Sequence, residues 1–423
     1  MRSGGLTKYA IEVMEEQSKS HEIYHLYPGN IDLLNRRVRI KKKKFLKYNS
    51  IRHYEIVNSL PLPLFNGIKE PCSFMKCVEK KIYFDFLMSI KPEVIHVHSL
   101  MGIHKEFFES AKEIGIKIIY TTHDYFGICP TINLYNKQGN CKNYNNGLGC
   151  ATCCACAYST RKLYMTQTNI YPYLKKLKKL KKTTVKQENN IRILDTTLVH
   201  EKGNEYISLR NFYLNIFNLI DYFHFNSTLA EGIFRQYLPN IRGKVVSITN
   251  GSIKKQKFSK TRSNKIRIGY LGPRKEYKGF FVLMDAFKQL PIEKFELYLY
   301  GDTLKIEAPK NVYINGRYTS SELEAIFSNI DVIVVPSIWK ETFGFVSLEA
   351  LSYGVPVIIS NNVGSKDIVS KDIGWIFQEN ELKDVLLSLN KDEILQKKKK
   401  LIEEYDFISL TTHVKQLIES FYN

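Results

Sequence analysis

The amino-acid sequence predicts an α/β protein with two domains, each a doubly wound parallel sheet. Apolar strands alternate with amphipathic helices along the chain, which is the pattern of parallel α/β sheets. The length of 423 residues exceeds one typical core and favours two domains. A polar stretch at 254–264 separates the two series of strands. We therefore place an N-terminal domain at 1–253, a C-terminal domain at 265–404 and a final helix at 405–423.

In the N-terminal domain the alternation predicts six strands and four helices. The strands are expected at 21–28, 52–58, 93–99, 117–123, 222–227 and 244–249, and the helices at 6–19, 73–90, 104–114 and 228–238. An insertion at about 125–220 interrupts this pattern with a Cys-rich loop and Lys-rich helical segments.

The C-terminal domain restarts the alternation with a strand at 266–272. The further elements are expected as a helix at 279–290, strands at 295–300, 331–337 and 357–360, and helices at about 392–404 and 408–422. These predictions rest on apolar periodicity and on the glycines and prolines between the runs.

The most informative segment carries two glutamates, Glu341 and Glu349, between two apolar strands. Glu341 falls on a loop, Gly344 permits a tight turn, and Glu349 lies in an early turn of the following helix. Gly354 and Pro356 then end that helix. Because free N–H groups at a helix N-terminus bind phosphate, a carboxylate on each side would suit a nucleotide-sugar. The alternative is a pair of ordinary surface charges.

Several segments of the second half together resemble the donor domain of the retaining group 1 (family 4-type) glycosyltransferases. They are 311–317, 319–322, the strand before Glu341, the glutamate pair and 354–356. The resemblance implies the GT-B architecture of two Rossmann-like domains facing a central cleft, with the last helix crossing back to the first domain. It also implies that Glu349 binds the nucleotide ribose and that Glu341 binds hydroxyls of the donor sugar.

The loop after the strand at 266–272 resembles the family segment whose Arg and Lys neutralise the donor diphosphate. Gly272 opens this loop, and Lys278 matches the family's lysine in place. Pro273 occupies the position of the family's arginine, and Arg274 follows one residue later. A guanidinium is long enough to substitute and binds phosphate through two hydrogen bonds. The alternative is two solvated basic side chains on a loop.

His123 ends the strand at 117–123 and precedes Asp124. This His-Asp turn resembles the family turn that faces the cleft, where the histidine lies close to the donor sugar. A histidine at a strand end is otherwise usually a structural residue. His96 and His98 share one face of an earlier strand, and packing in the core or at the rim is the favoured interpretation for both.

Gly4 and Gly5 resemble the family's glycine-rich loop, which approaches the donor phosphates. In the family this loop follows the first β-strand, whereas only Met1 to Ser3 precede it here. A doubly wound sheet uses its first strand near the centre. We therefore expect either a start upstream of Met1, which is the favoured interpretation, or a domain that has lost a core element.

Six of the eight cysteines fall within one loop, and Cys150 and Cys153 have the spacing of a zinc knuckle. Disulfides are not expected in a cytosolic protein. A structural zinc site of four thiolates would comprise Cys129, Cys141, Cys150 and Cys153, with Cys154 or Cys156 as substitutes. The order of His-Asp, Cys-Pro and Cys-x-x-Cys also resembles a subset of these glycosyltransferases. Free thiols that pack the loop are the alternative.

The formal net charge of +20 favours acidic partners. Much of it lies in two runs, 36–44 and 174–182, and the second repeats leucine every third residue between lysines. That second run fits either a solvated helix packed on its own domain or a cationic helix on anionic lipid. No known nucleic-acid-binding motif accompanies the charge, so nucleic acid is not an expected partner.

The sequence has no apolar run that approaches the roughly 18 residues of a membrane span. Its start also lacks the apolar region of a signal peptide. We therefore expect a cytoplasmic protein, held peripherally at the inner face of the plasma membrane if the Lys-rich run binds lipid.

The function that we expect is transfer of a hexose-type sugar, with retention, from a UDP- or GDP-sugar to a hydroxyl of a sugar or lipid-linked acceptor. The setting that the resemblance implies is assembly of bacterial surface polysaccharide or glycolipid. No metal is expected to be required for the chemistry. The alternatives are a non-catalytic, membrane-peripheral relic of the GT-B fold and a nucleotide-sugar epimerase of the same architecture.

Each catalytic group has an expected role in this reaction. Lys278, helped by Arg274, stabilises the leaving diphosphate together with the helix N-terminus at Gly344 and Phe345. Glu341 and His123 orient the donor sugar. Front-face transfer, as discussed for the family, assigns no protein nucleophile.

Overall fold

Two parallel β-sheets, one in each half of the chain, dominate the computed structural model of the protein. The structure describes residues 5–44, 50–64, 66–136, 139–142, 145–171, 173, 175, 196–256, 263–302 and 307–423. Among these residues a four-stranded sheet lies in the first half, beside a three-stranded one, and a six-stranded sheet lies in the second half. The α/β class predicted from the alternating pattern is confirmed.

The first half follows the predicted alternation closely. Its strands are β1 (Ile23–Pro28), β2 (Arg39–Lys43), β3 (Ile51–Val57), β4 (Val94–Val97), β5 (Lys117–Thr121), β6 (Tyr135–Asn136), β7 (Gly139–Asn140), β8 (Tyr222–Phe225) and β9 (Gly243–Val245). Its helices are α1 (Gly5–Gln17), α2 (Lys80–Ile90), α3 (Lys105–Ile114), α4 (Leu148–Cys153), α5 (Thr160–Thr166), α6 (Thr196–Phe217) and α7 (Thr228–Tyr237). The parallel sheet has the order β4-β5-β8-β9, and the smaller sheet has the order β1-β3-β2.

The prediction of one helix over 73–90 is wrong at its start. A short 3₁₀ turn occupies Pro71–Phe74, and α2 begins only at Lys80. Proline fits the first turn of a helix, where its missing N–H is not needed, which explains the separate turn. Glu79, just before α2, has an extended backbone that keeps the two pieces apart.

The loops after β1, β3 and β4 lie together at one edge of the first half. The Leu60 N–H donates to the Gly102 carbonyl over 3.2 Å, which joins the loops after β3 and β4. A Cβ on Gly102 would lie 2.6 Å from Cβ of Pro28, the last residue of β1. At the same edge His98, after β4, has its Nδ1 3.2 Å from Nε2 of His123, after β5. The carboxyl ends of β1, β3, β4 and β5 therefore share one edge.

The second half is a six-stranded sheet that is parallel throughout. Its strands are β10 (Ile266–Leu271), β11 (Phe295–Tyr300), β12 (Val312–Gly316), β13 (Val332–Val335), β14 (Val357–Ser360) and β15 (Gly374–Phe377). Its helices are α8 (Phe280–Phe287), α9 (Leu323–Ser328), α10 (Phe345–Ser352), α11 (Leu382–Ser388), α12 (Lys391–Glu403) and α13 (Leu410–Leu417). The order β12-β11-β10-β13-β14-β15 reverses direction between β10 and β13.

The centre of this sheet is covered on both faces. Every residue of β10, β13 and β14 is buried, which explains the apolar runs of β13 and of most of β14 without alternation. The charged exception, Arg267 in β10, is buried in an ion pair with Asp331. The outer strand β11 alternates between buried and half-buried residues. The reversal point thus lies between strands that are buried along their whole length.

The chain end packs against the first half. The Tyr9 hydroxyl of α1 lies 2.7 Å from Nε2 of His413 in α13. The Tyr422 hydroxyl lies 2.6 Å from Nδ1 of His96 in β4, and Lys117 of β5 donates to the Tyr422 carbonyl over 3.0 Å. Among the described residues, no helix is both long and apolar enough to cross a membrane.

Four histidines of the described residues are enclosed in the protein interior, among them His53 at 2% exposure. His104, His224 and His413 are at most 2% exposed. Burial lowers the pKa of His104 and of His224 to about 4. Burial, together with the nearby His224 and His98, lowers the pKa of His413 to about 3. These side chains are therefore neutral in the folded protein at physiological pH.

We predict that mild acid destabilises the fold through these histidines. In the unfolded chain each takes up a proton near its ordinary value of 6.5, so below that pH the unfolded state binds more protons than the folded state. The free energy of unfolding should fall by up to about 1.4 kcal/mol per pH unit for each histidine. Asp124 acts in the opposite sense, because burial raises its pKa to about 6.

Urea unfolding between about pH 7 and pH 5 measures this effect. The midpoint should fall steadily with pH, and the slope should be smaller in His413→Asn. The exposed His21 provides the control, since His21→Asn should leave the slope unchanged. A midpoint that is constant over this range would contradict the prediction.

Candidate functional site

A crevice lies where the order of the six-stranded sheet reverses, between the carboxyl ends of β10 and β13. The loop after β10 runs to Lys278, and the loop after β13 runs to Glu341. In open α/β sheets this crevice is the usual place for a ligand. The first half closes it from the other side, because the Thr342 hydroxyl donates to the His123 carbonyl over 2.8 Å. The buried Ser227 hydroxyl in turn donates to the Thr342 carbonyl over 2.6 Å.

An ion pair joins the two loops of the crevice. Lys278 Nζ lies 2.7 Å from Oε1 of Glu341, and the side chains are only 22% and 17% exposed. The Ser337 hydroxyl donates to the other carboxylate oxygen over 2.8 Å, and Lys278 Nζ also lies 5.1 Å from the centre of the Trp339 ring. Both charged groups predicted from the sequence are thus held in one cluster. The interpretation of Lys278 as a solvated side chain is wrong.

Gly279 allows Lys278 to reach this position. Its φ of 71° lies in the left-handed region, and a Cβ would collide with the Pro336 carbonyl oxygen at the end of β13. A larger residue would therefore force the two loops apart. The geometry of the ion pair depends on this close approach.

The N-terminus of α10 opens next to the pair. Gly344 precedes the helix with a φ of 91°, and a Cβ there would lie 2.8 Å from a methyl group of Val363. Ser347 and Ser365 donate to the Gly344 carbonyl over 2.7 and 3.2 Å, which fixes the turn. The free N–H groups begin at Phe345. The predicted series of strand, loop, helix and strand around Glu341 is confirmed.

Glu349 lies in the second turn of α10 and is largely buried. Burial raises the pKa of its carboxyl, and the charge of Lys8 in α1 opposes this shift. Lys8 also donates to the Ser252 hydroxyl over 2.7 Å. The start of α1 is close as well, because a Cβ on Gly5 would lie 3.2 Å from the Phe345 ring. The predicted loop residue Gly4 lies outside the described residues.

His123 faces the crevice from the end of β5. The Tyr9 ring meets it edge-on at a centroid distance of 5.0 Å. Burial lowers the pKa of His123 well below its ordinary value, and His98, His224 and His413 add to the shift. The imidazole is therefore neutral at physiological pH and can make hydrogen bonds to a ligand without adding a charge. For His98 the predicted rim packing agrees with its contact with His123.

Arg274 is buried rather than solvated, at 9% exposure. It lines a small cavity together with Tyr270, Gly272 and Asp302. Its predicted role on the diphosphate stays a prediction.

Three polar atoms around the ion pair are buried without a hydrogen-bond partner among the described residues. They are the Tyr125 hydroxyl, Oδ1 of Asn140 and Nε1 of Trp339. Burial raises the pKa of Tyr125, and the nearby charge of Glu341 raises it further. Asn140 donates to the Ile338 carbonyl over 2.9 Å, which brings the β6–β7 hairpin onto the loop of Trp339.

Such unpartnered atoms mark a place that a ligand can complete. A buried polar group without a partner costs about 1–3 kcal/mol, so native proteins rarely keep one unless water or a ligand satisfies it. Tyr125 follows His123 by two residues, and that proximity was the only signal for it in the sequence. Asn140 and Trp339 had no signal.

The zinc site predicted for the cysteine loop stays a prediction. No group of three or more His, Cys, Asp or Glu side chains in the described part of the chain is placed to hold a metal ion. Cys129 Sγ lies 3.1 Å from the Thr131 hydroxyl, and the Cys150 thiol bonds to Arg210. Burial raises the pKa of Cys150 to about 12, with smaller contributions from Cys129 and Cys141. The thiols thus cluster, as the spacing predicted, and burial favours the neutral form of Cys150.

Within the second half of the chain, one protein-family model matches the sequence. Residues 252–405 match the family described as glycosyl transferases group 1. The matched range contains Lys278, Glu341 and Glu349, so the resemblance that rested on those residues is confirmed.

Solved glycosyl transferases share the fold of the whole chain. The catalytic domain of starch synthase IV from Arabidopsis thaliana, bound to ADP and acarbose, has 12% identity and a TM-score of 0.52 over 99% of this chain and 96% of its own. Anabaena HepE in complex with UDP-glucose has 14% identity and a TM-score of 0.51, with the same coverage of both chains. At this identity the likeness shows the fold alone, and the predicted GT-B fold is confirmed.

Several relatives in sequence are named for bacterial capsule regions or capsule biosynthesis. Two uncharacterised Klebsiella pneumoniae proteins of the cps region are 35% and 22% identical over 28% and 72% of this chain. The chain spans 34% of the first of these proteins and 66% of the second. The capsular polysaccharide biosynthesis glycosyltransferase CapM of Staphylococcus aureus is 27% identical over 32% of this chain and 39% of its own length.

We predict that the thiols of this protein differ strongly in reactivity. Cys72 and Cys156 are exposed, whereas burial raises the pKa of Cys150 and of Cys154. Because the thiolate is the reactive form, iodoacetamide at neutral pH should modify the exposed pair at least about tenfold faster. Peptide mapping of the native protein measures both rates.

Metal analysis of the same reduced protein tests the alternative, a zinc site in the cysteine loop. About one zinc per chain, with protection of the four predicted ligands until a chelator is added, would contradict packing by neutral thiols. The predicted ligands are Cys129, Cys141, Cys150 and Cys153.

Proposed function

We propose that the protein is a retaining glycosyltransferase that moves a hexose-type sugar from a nucleoside diphosphate to an acceptor hydroxyl. The observation that carries the proposal is the Lys278–Glu341 pair, set between the N-terminus of α10 and the neutral His123. It offers a cation and free N–H groups for a diphosphate, and a carboxylate and an imidazole for sugar hydroxyls. The first half, 1–253, would bind the acceptor, and the second, 265–404, would bind the donor.

Negative charge develops on the diphosphate as the bond to the sugar breaks. Lys278 Nζ, which bonds to Glu341 in the protein without ligand, would turn to the leaving phosphate oxygen. The N–H groups from Phe345 onward would add their partial positive charge. Such preorganised donors lower the barrier by stabilising the charge of the transition state. Arg274 is proposed to assist from its neighbouring cavity.

The carboxylates would hold the two hydroxyl-bearing parts of the donor. Ser337 keeps one oxygen of Glu341 in place, so the other can bind the sugar once Lys278 turns to phosphate. Glu349 would bind the ribose. The proposal uses no protein nucleophile and no metal in the chemistry, which follows the front-face transfer discussed for the family.

The capsule relatives support an acceptor in bacterial surface polysaccharide assembly, which is sugar or lipid-linked. CapM is named for capsular polysaccharide biosynthesis, and two further relatives belong to a cps region. HepE, which shares the fold, binds UDP-glucose, in keeping with a UDP- or GDP-sugar donor. We also propose a cytoplasmic location at the anionic inner membrane surface. The predicted Lys-rich run, 174–182, lies largely outside the described residues.

Assays with labelled UDP- and GDP-sugars separate this proposal from its alternatives. A transferase hydrolyses or transfers the sugar, an epimerase returns an isomerised donor, and a relic does neither. The complete cluster of Lys278, Ser337 and Glu341 favours an active enzyme over a relic.

We predict opposite defects for the two glutamates. Glu349→Ala removes charge-assisted hydrogen bonds to ribose and should weaken nucleotide binding by about 1.5–3 kcal/mol. Glu341→Ala should chiefly lower turnover. Because burial raises the pKa of Glu349, wild-type affinity should begin to fall at a higher pH than for an ordinary carboxylate. Calorimetry with nucleoside diphosphate and donor kinetics measure both effects.

The exposed Glu324 on α9 supplies the matched control. Glu324→Ala should change neither nucleotide affinity nor turnover. Wild-type donor kinetics in both Glu341→Ala and Glu349→Ala would remove the basis of the proposed function.

We predict that the Tyr125 hydroxyl serves the ligand and not the fold. It is buried without a partner, so Tyr125→Phe should leave the free energy of unfolding unchanged or raise it by about 1 kcal/mol. Turnover should nevertheless fall about tenfold, the loss of one hydrogen bond to substrate. Urea unfolding and donor kinetics measure the two quantities.

Tyr120 is the matched control for this substitution. Its hydroxyl is also buried without a partner among the described residues, but its ring packs in the core against Phe217 and Phe223. Tyr120→Phe should therefore have a similar effect on stability and none on turnover. Equal turnover in all three proteins would contradict the role of Tyr125.

A further inference from the structure

Large apolar side chains stand exposed on the loop that follows β1. Leu33 is 61% exposed and Leu34 is 100% exposed. Ile31 donates its N–H to the Gln167 carbonyl over 3.3 Å, which joins this loop to the end of α5. Met165 and Ile170, at that end, are also 50% and 58% exposed. We call the loop 31–37 together with 165–170 the leucine face. Single exposed leucines are common, but an adjacent pair with apolar neighbours indicates an interaction site.

The loop holds its leucines outward in a defined conformation. The Asp32 carboxylate accepts from the N–H groups of Leu34 and Asn35, each over 3.1 Å, and pairs with Arg39. Asn58 accepts from the Asp32 N–H and donates to the Asn35 carbonyl, both over 2.7 Å. These bonds satisfy the backbone of the loop without using the leucine side chains. The exposure is thus built into the loop.

Basic side chains follow the leucines on the same hairpin, in the loop itself and along β2. The exposed members are Arg36, Arg37, Lys41, Lys42 and Lys44. Within the described part of the chain none of the five has a carboxylate within 4.0 Å, whereas Arg39 and Lys43 of the same hairpin are ion-paired. The hairpin that carries the leucines therefore has positive charge without a carboxylate partner. This charge complements an anionic surface.

The size and composition of the leucine face favour lipid over protein. A stable protein interface buries about 800 Å² per partner, and its core is depleted in lysine. Two leucines on a loop tip with a lysine-rich rim do not fit that description. Apolar side chains among acyl chains, with basic side chains at the headgroups, do fit it.

The leucine face also lies on the side of the crevice. Its loop leaves β1 at Pro28, and the ends of β1, β3, β4 and β5 share the edge that carries His98 and His123. A surface that bound this face would lie beside the part of the first half that is proposed to take the acceptor. This step rests on the proposed function, whereas the exposure and the charge do not.

We propose that the leucine face docks the protein on an anionic bilayer, with Leu33 and Leu34 among the acyl chains. The Arg and Lys side chains of the same hairpin bind headgroup phosphates. Docking in this orientation presents the first half to acceptors that are held in the membrane by a lipid.

Sedimentation of the full-length protein with vesicles tests this proposal. Phosphatidylcholine vesicles with phosphatidylglycerol should bind the protein at low salt, and phosphatidylcholine alone should bind it weakly. The double variant Leu33→Ser, Leu34→Ser should lose at least about tenfold in vesicle affinity. Changing Arg36, Arg37, Lys41 and Lys42 to Gln should weaken binding and reduce its dependence on salt.

Exposed apolar residues on the other half supply the matched control. Leu395 and Ile402 of the Lys-rich α12 are 64% and 52% exposed. Replacing both by Ser should leave vesicle binding unchanged. Hydrolysis of a soluble donor should be the same in all variants, so a failure of docking is distinguished from a failure of the proposed function.

Three outcomes would overturn the proposal. They are wild-type protein that ignores anionic vesicles at low salt, unchanged binding by the Leu33→Ser, Leu34→Ser variant, and loss of binding only in the α12 variant. Binding that depends on the lysines of 174–182 but not on the leucines gives the second outcome, and it would assign docking to that run instead.

Discussion

The ion pair between Lys278 and Glu341 is the contact on which the site depends, because it joins the loops that follow the two central strands. A charge buried without its partner costs about 3–5 kcal/mol, so each group needs the other while no ligand is bound. In the proposed function, an arriving diphosphate would supply Lys278 with a new partner and would free one Glu341 oxygen. The pair thus stabilises the two loops in the absence of a ligand. It also keeps both side chains at the position where the proposed function uses them. Gly279 makes this arrangement possible, since any side chain there would push the lysine loop off the end of β13.

The parts of this arrangement that are local in the chain could be predicted from the sequence. The series β13, loop, α10 and β14 followed from apolar runs with Gly354 and Pro356 between them, since these residues act on their own neighbourhood. The ion pair itself could not be predicted, because its members are 63 residues apart and meet only when two loops pack. The resemblance named both residues for separate parts of the donor, and the structure adds that they touch.

The cysteine loop is a second case in which sequence spacing does not determine a tertiary contact. The spacing of Cys150 and Cys153 correctly indicated neighbouring thiols, but spacing does not decide where each sulfur points. Cys150 turns to Arg210, a residue on α6, and Cys129 turns to Thr131. Tertiary contacts of this kind orient a thiol without changing the motif. The unpartnered Tyr125 hydroxyl is a second example, because only the folded protein shows that its neighbours leave it without a partner.

The two halves of the chain contribute different forces to the site. The second half supplies charge and a helix N-terminus, whereas the first half supplies neutral, buried histidines and contacts the second through Thr342. Burial keeps His123 neutral, whereas Lys278 and the N-terminus of α10 bring positive charge to the crevice, which in the proposed function would act on the diphosphate. The excess basic charge on the surface of the first half lies instead on the rim of the leucine face. Positive charge therefore has two separate proposed roles, at the crevice and at the leucine face. The edge of the first half that carries both the leucine face and His123 sets the relative position of these two sites.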